Sequence, residues 1–180
     1  MEQTYPWYAV VKGEEKLRQG DFFKSLPLMI PPSNFDYIPE KPPEIPVNMQ
    51  TFDVIVLTQS CDLENEKIEI VLVCPYWTLE EVGEVNSFFK SIEGKESLRR
   101  GISHGFHLLA PCKIAGFESG FLVVFFKQVF GVDYDFLVDF AKKSETRLRL
   151  LPPYRERLSQ DFAKFFMRVG MPEDIPKFTQ

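Results

Sequence analysis

The spacing of hydrophobic positions along this chain changes several times, and each change predicts an element. Trp7, Tyr8, Val10 and Val11 precede a charged run from Lys12 to Arg18, and Gly20-Asp21 marks a turn before Phe22-Phe23 begins a strand. Seven prolines follow (Pro27, Pro31, Pro32, Pro39, Pro42, Pro43, Pro46), which rules out a helix and disfavours an inner strand. Residues 27–50 therefore read as an extended proline-rich loop, and loops of that length inside a domain usually carry function or move. Phe52–Thr58 and Lys67–Cys74 are β-branched and almost continuously apolar, as central strands covered on both faces are. They read as a pair joined by a polar turn, Asp62–Glu66, with Pro75 ending the second strand.

Residues 79–103 read as a helical insertion. Leu79, Val82, Val85, Phe89 and Ile92 recur at three- and four-residue spacing, Gly94 interrupts them, and 95–101 adds a short helical turn. Four further strands are predicted at Phe106–Ala110, Gly120–Phe126, Gln128–Val132 and Phe136–Phe140. The last element, 153–169, is an amphipathic helix with Tyr154, Leu158, Phe162, Phe165, Phe166 and Val169 on one face. Pro152-Pro153 opens it, and Gly170 and Pro172 are its stop signals. This order predicts an α+β, β-rich fold: a small, curved antiparallel sheet or barrel with a helical insertion and a C-terminal helix as cap.

Composition narrows the classes. With 180 residues, 44% of them hydrophobic and 18 of them Phe, the chain suits one domain with a large aromatic core. A net charge of −5 gives no overall field that would attract nucleic acid, so an RNA site requires a local basic patch. The longest apolar run, Phe121–Phe126, is too short to cross a bilayer, so no membrane partner is expected. An odd number of cysteines, three, and no secretory leader pattern argue for reduced thiols and a cytoplasmic location.

Candidate chemistry lies in three places. Thr58-Gln59-Ser60-Cys61-Asp62 stands where an apolar strand ends. Cys61 would be a nucleophile if His104 or His107 activated its thiol, with Asp62 beside it; alternatively it is a small packed side chain and Asp62 caps a turn. Cys61, Cys74, Cys112, His104 and His107 include the zinc-ligand types. His104 and His107 form one close pair, but no CxxC supplies a second, so neither metal nor cofactor is expected. Arg147, Arg149, Arg155 and Arg157 cluster around the start of the last helix, with Arg99 and Arg100 in the insertion. Guanidinium groups at a helix start would clamp phosphate or RNA backbone, unless Glu145 and Glu156 compensate them internally.

Gly20-Asp21-Phe22-Phe23, the loop after it, Val54–Thr58 and Val71-Leu72-Val73-Cys74-Pro75-Tyr76-Trp77-Thr78 together resemble the strand order of the PemK/MazF-like toxins. That resemblance covers about half of the chain. It implies an SH3-like barrel, a toxin-antitoxin or phage-defence setting, and RNA cleavage without a metal. Thr78 matches the hydroxyl position of that family. Its catalytic basic residue, within an Arg-Pro, belongs where Phe52-Asp53 stands, and an acid there repels phosphate. The Thr58–Asp62 segment, with Pro153-Tyr154-Arg155-Glu156 and Phe165–Gly170, is also similar to uncharacterised bacterial proteins. The expected function is a PemK/MazF-like binding or regulatory module. The alternatives are a metal-independent endoribonuclease using Thr78 and an arginine of 147–157, and a cysteine hydrolase using Cys61 with a histidine such as His107. A protein partner is expected, with RNA and a second copy of the chain as further candidates.

Overall fold

The computed structural model describes residues 5–32, 48–65 and 68–167. Its elements run β1 (Tyr8–Lys12), β2 (Phe22–Ile30), β3 (Asn48–Val56), α1 (Ser60–Glu64), β4 (Ile70–Thr78), α2 (Leu79–Val85), a 3-10 turn (Ser87–Lys90), α3 (Ile92–Arg99), β5 (Phe106–Leu109), β6 (Leu122–Phe125), β7 (Phe130–Asp133), α4 (Tyr134–Lys142), β8 (Thr146–Leu150) and α5 (Tyr154–Phe166). The strand pairings are antiparallel, in a six-stranded sheet of order β2-β3-β4-β6-β5 with β7 also on β4, and a ribbon of β1 and β8. This is the expected β-rich α+β class.

Central strands β3 and β4 explain the near-continuous apolar runs. Val54, Val56, Val71 and Val73 point into one core with Leu137 of α4. Ile55, Leu57, Cys74 and Tyr76, at the alternate positions, point into another with Leu158 of α5. A strand buried on both faces has no polar side to alternate with. Trp7 stacks on Tyr154 at 3.6 Å, and Phe126 meets Phe162 at 5.4 Å, so α5 closes the second core with rings from both ends of the chain.

The ribbon joins the sheet at one point. Leu150 N–H donates to Gly20 O at 2.8 Å, and Asp21 bridges Arg149. Gly20 has a φ of +86°, and a Cβ there would stand 2.9 Å from that of Leu150, so a bare backbone is needed for this approach. On the far side, the Tyr8 hydroxyl donates to Ala110 O at 2.6 Å. The sheet therefore bends back toward its first strand, but among the described residues no ladder joins β5 to β1 to close a barrel.

Several expectations need correction. Pro75 does not end β4. Leu72 turns both its N–H and C=O toward the β3 side, to Thr58 and Leu57, so Pro75, three residues on, turns its nitrogen to the other edge. There β7 pairs with Ile70–Val73 and β6 with Tyr76–Thr78, and Pro75 falls in the gap, where no donor is required. Pro27 is likewise inside β2, opposite Thr51, beside a bulge at 23–26. The proline-rich loop is shorter than 27–50, since β2 runs to Ile30 and β3 starts at Asn48; residues 33–47 lie outside the described residues. Phe136–Phe140 belongs to a helix, because the Asp133 side chain accepts from Phe136 N–H and Leu137 and Ala141 bury one face. The turn expected at Asp62–Glu66 overlaps a short helix, α1, which begins at Ser60 and ends at Glu64, and residues 66 and 67 lie outside the described set. The stripe in the insertion is broken into three short helices, leaving Val85 and Ile92 exposed while Leu79 and Phe89 pack. Helix α5 ends at Phe166; Val169, Gly170 and Pro172 are outside the described residues.

Candidate functional site

The arginines expected to form one phosphate clamp are divided among three environments. Arg147 and Arg149 lie on β8 with their side chains buried. Arg147 Nε donates to Asp21 Oδ2 at 2.9 Å, and its two terminal nitrogens donate to the carbonyls of Lys12, Gly13, Glu15 and Lys16. All the guanidinium N–H groups are thereby engaged. Arg149 donates through Nε and Nη2 to Asp21, and again to Lys16 O. Asp21 is fully buried between the two cations, and its Oδ2 also accepts from Arg18 N–H. These buried arginines hold the 12–18 loop to β8, with Arg149 Nη1 also 3.8 Å from Glu15 Oε2, so their charge is engaged inside the protein rather than set out as an exposed phosphate clamp.

Arg155 lies on the other side of α5, donating to Glu156 at 2.6 Å. It lines an open groove with Cys61, Gln19 and Gln160. Cys61 is exposed, and its Sγ lies 3.7 Å from Gln59 Oε1 and 3.6 Å from Asp62 Oδ1. Neither histidine lines this groove. The nucleophile expected at Cys61 therefore has a carboxylate neighbour but no base. Cys74 and Cys112 are buried, and burial pushes the Cys74 thiol up to about 12. Among the described residues no cluster could hold a metal ion.

Arg157 faces a third place, a groove of about 620 Å³ between α5 and the 100–106 segment, shared with Arg100, His104 and Lys164. A smaller, separate pocket of about 180 Å³, with Arg157 and Asp161 in common, is lined by Arg99 and His107. His107 is buried on β5, and its Nδ1 stands 2.8 Å from Asp161 Oδ2. That hydrogen bond, with the charge of a protonated His107 and then those of Arg157 and Lys164, holds the Asp161 carboxyl below the usual carboxylate range despite partial burial. An ionised carboxylate only accepts, so Nδ1 carries the proton and Nε2 of a neutral ring is an acceptor. Nε2 has no protein partner among the described residues and is not sealed from solvent. The pairing of His107 with Asp161, 54 residues apart, has no signature in either local segment.

The fourth place is a cleft of about 630 Å³, within the usual range for small-molecule sites. Asp53 and Thr78, the two positions singled out by the toxin resemblance, both line it. Thr78 is the N-cap of α2. Its hydroxyl donates to Glu81 Oε2 at 2.8 Å and accepts from Glu81 N–H at 3.2 Å, a capping box that engages both its functions. Asp53 Oδ1 accepts from Ser25 N–H at 2.8 Å, fixing the β2 bulge where Ser25 takes a φ of 51°. Tyr76 stands edge-on to Phe22 at 5.3 Å, and its hydroxyl is kept protonated by burial first and then by the charge of Asp53. Glu81 and Glu118 add carboxylates to this cleft, and Lys24 adds one exposed cation. The charge of Arg147, which reaches its floor, is engaged by Asp21.

The cleft thus has the two positions that the resemblance demands but the opposite charge. No protein-family model, no curated protein and no solved structure matches this chain, so the likeness to the PemK/MazF-like toxins rests on the quoted segments alone.

Proposed function

We propose that this chain is a binding or regulatory module with a PemK/MazF-like, SH3-like barrel plan, working in the cytoplasm in a toxin-antitoxin or phage-defence setting, and that it does not cut RNA at the cleft lined by Asp53 and Thr78. One observation carries this reading: Asp53 lines the same cleft as Thr78, at the position where the toxin resemblance wants a cation. Developing negative charge on a phosphorane would meet Asp53, Glu81 and Glu118, and each would raise rather than lower the barrier. The Thr78 hydroxyl, already donating to Glu81, is also no free acid or nucleophile. The test is incubation of the full chain with a long single-stranded RNA in chelator. The RNA is expected to remain intact; cleavage abolished by Thr78→Ala would overturn the reading.

A second reading has its own support. Beside α5, a histidine oriented by Asp161 lines one pocket with Arg99 and Arg157, and the neighbouring groove, which also takes in Arg157 and Asp161, adds Arg100 and Lys164. That combination of base and cations suits metal-independent RNA cleavage, with His107 Nε2 accepting a 2′-hydroxyl proton. Cleavage in chelator that survives Thr78→Ala but is lost in His107→Gln and Asp161→Asn would establish this endoribonuclease reading in place of the first.

A further inference from the structure

We propose that the cleft between β2, the end of β4 and the 117–120 loop binds a guanidinium group. This deepens the binding-module reading of the same cleft and rests on it. The lining offers acceptors at every polar position the argument uses. Asp53 has a second carboxylate oxygen beyond the one held by Ser25 N–H, and Glu81 and Glu118 each have one oxygen outside their local bonds.

Acidic residues alone would be a solvated surface. The independent observation is Tyr76. The residue is only 8% exposed and lines the cleft, and its hydroxyl, with no protein partner among the described residues, is not sealed from solvent. Tyr76 and Asp53 line the same cleft, and the hydroxyl feels the charge of that carboxylate. Ser119, on the same wall, has a buried Oγ that is also without a partner. An unpaired buried hydroxyl costs stability, as at Ser119, and the Tyr76 hydroxyl, open to the cleft, is an acceptor for a donor arriving from a ligand.

The required donor is flat as well as cationic. Phe22 and Phe117 border the acceptors, and a planar guanidinium stacks on aromatic rings while directing N–H groups outward from its edge. A phosphate or carboxylate ligand would face repulsion from Asp53, Glu81 and Glu118, and a neutral apolar one would leave Tyr76 and Ser119 unpaired. The guanidinium can arrive on a small molecule or on an arginine side chain of a protein, and the chemistry recognised is the same.

Titration calorimetry of the full chain tests this with agmatine and with its urea counterpart, N-carbamoylputrescine, alongside acetylated peptides carrying one arginine or one citrulline. Agmatine is expected to bind and the urea compound to bind at least about tenfold more weakly, because the charged hydrogen bonds are lost. Asp53→Asn keeps the oxygen that accepts from Ser25 and is expected to weaken agmatine about tenfold or more. Tyr76→Phe removes only the hydroxyl and is expected to cost about fivefold. Glu93→Gln, an exposed carboxylate outside the cleft, reports general attraction of cations to an acidic protein and is expected to change nothing. Binding of the arginine peptide but not of agmatine would identify a protein as the source. No binding of either, equal binding of the urea compound, or binding indifferent to Asp53→Asn and Tyr76→Phe would overturn the proposal. An RNA-cutting result leaves this outcome separate, since it is read with RNA and not with guanidinium ligands.

Discussion

Two sets of arginines in this molecule are identical in chemistry and opposite in role. Arg147 and Arg149 on β8 are buried against Asp21 and a series of backbone carbonyls, whereas Arg99, Arg100 and Arg157 are more than half exposed and, among the described residues, pair with Glu96 or Asp161 alone. The difference is one of solvent. A buried guanidinium needs every N–H paired, so its position is dictated by its partners; an exposed one keeps water as an alternative and its charge remains offered to a ligand.

The strongest way to break this comparison is Asp21→Asn. It leaves two buried cations without their counter-charge and is expected to destabilise the protein by about 3–5 kcal/mol in urea unfolding. A loss below about 1 kcal/mol would place Arg147 and Arg149 in the exposed class instead. On α5 the same contrast falls on consecutive residues. Leu158→Ala empties a fully buried position and should cost about 2–5 kcal/mol, while Arg157→Ala should change stability by less than about 0.5 kcal/mol. If the α5 groove accepts RNA, Arg157→Ala should instead reduce the salt dependence of RNA binding by about one unit of slope.

The Asp161–His107 pair sharpens the comparison through pH. The Asp161 carboxyl is held below its unfolded value, so its contribution is complete above the usual carboxylate range and is lost as pH falls through the lowered folded value. Acid unfolding below about pH 4 should therefore be shallower in Asp161→Asn, as measured by unfolding midpoints across a pH series. The smallest effect concerns the thiols. Alkylation of the folded protein at mildly alkaline pH should label Cys61 and leave Cys74 and Cys112 until the chain unfolds, as mass spectrometry of the peptides would report. Labelling of Cys74 in the folded state would contradict its burial in the second core.

Elements with local causes were legible in the chain. The runs around Val54–Val56 and Val71–Val73 announce central strands, and the spacing of Tyr154, Leu158, Phe162 and Phe165 announces α5. Features decided by neighbours were not. Thr146–Leu150 alternates as a strand does, yet its arginines suggested an exposed clamp, because nothing near them names Asp21 as their partner. Tyr134, Leu137, Val138 and Ala141 form a helical stripe inside a stretch whose aromatic content favours a strand, and the Asp133 cap resolves the conflict. Pro75 looked terminal because strand-breaking depends on whether the nitrogen faces a partner, and that is a property of the sheet.

For the sites the division is the same. Residue types alone established an acidic chain with few histidines and no metal-ligand spacing, and they placed an acid where the toxin resemblance wants a base. Only the tertiary structure put His107 against Asp161, separated Cys61 from both histidines, and brought Asp53, Tyr76 and Thr78 to one cleft. Spacing along a chain constrains side chains over one or two turns of helix or strand, whereas these encounters depend on how distant segments pack, where loop closure and burial, not local pattern, determine what meets.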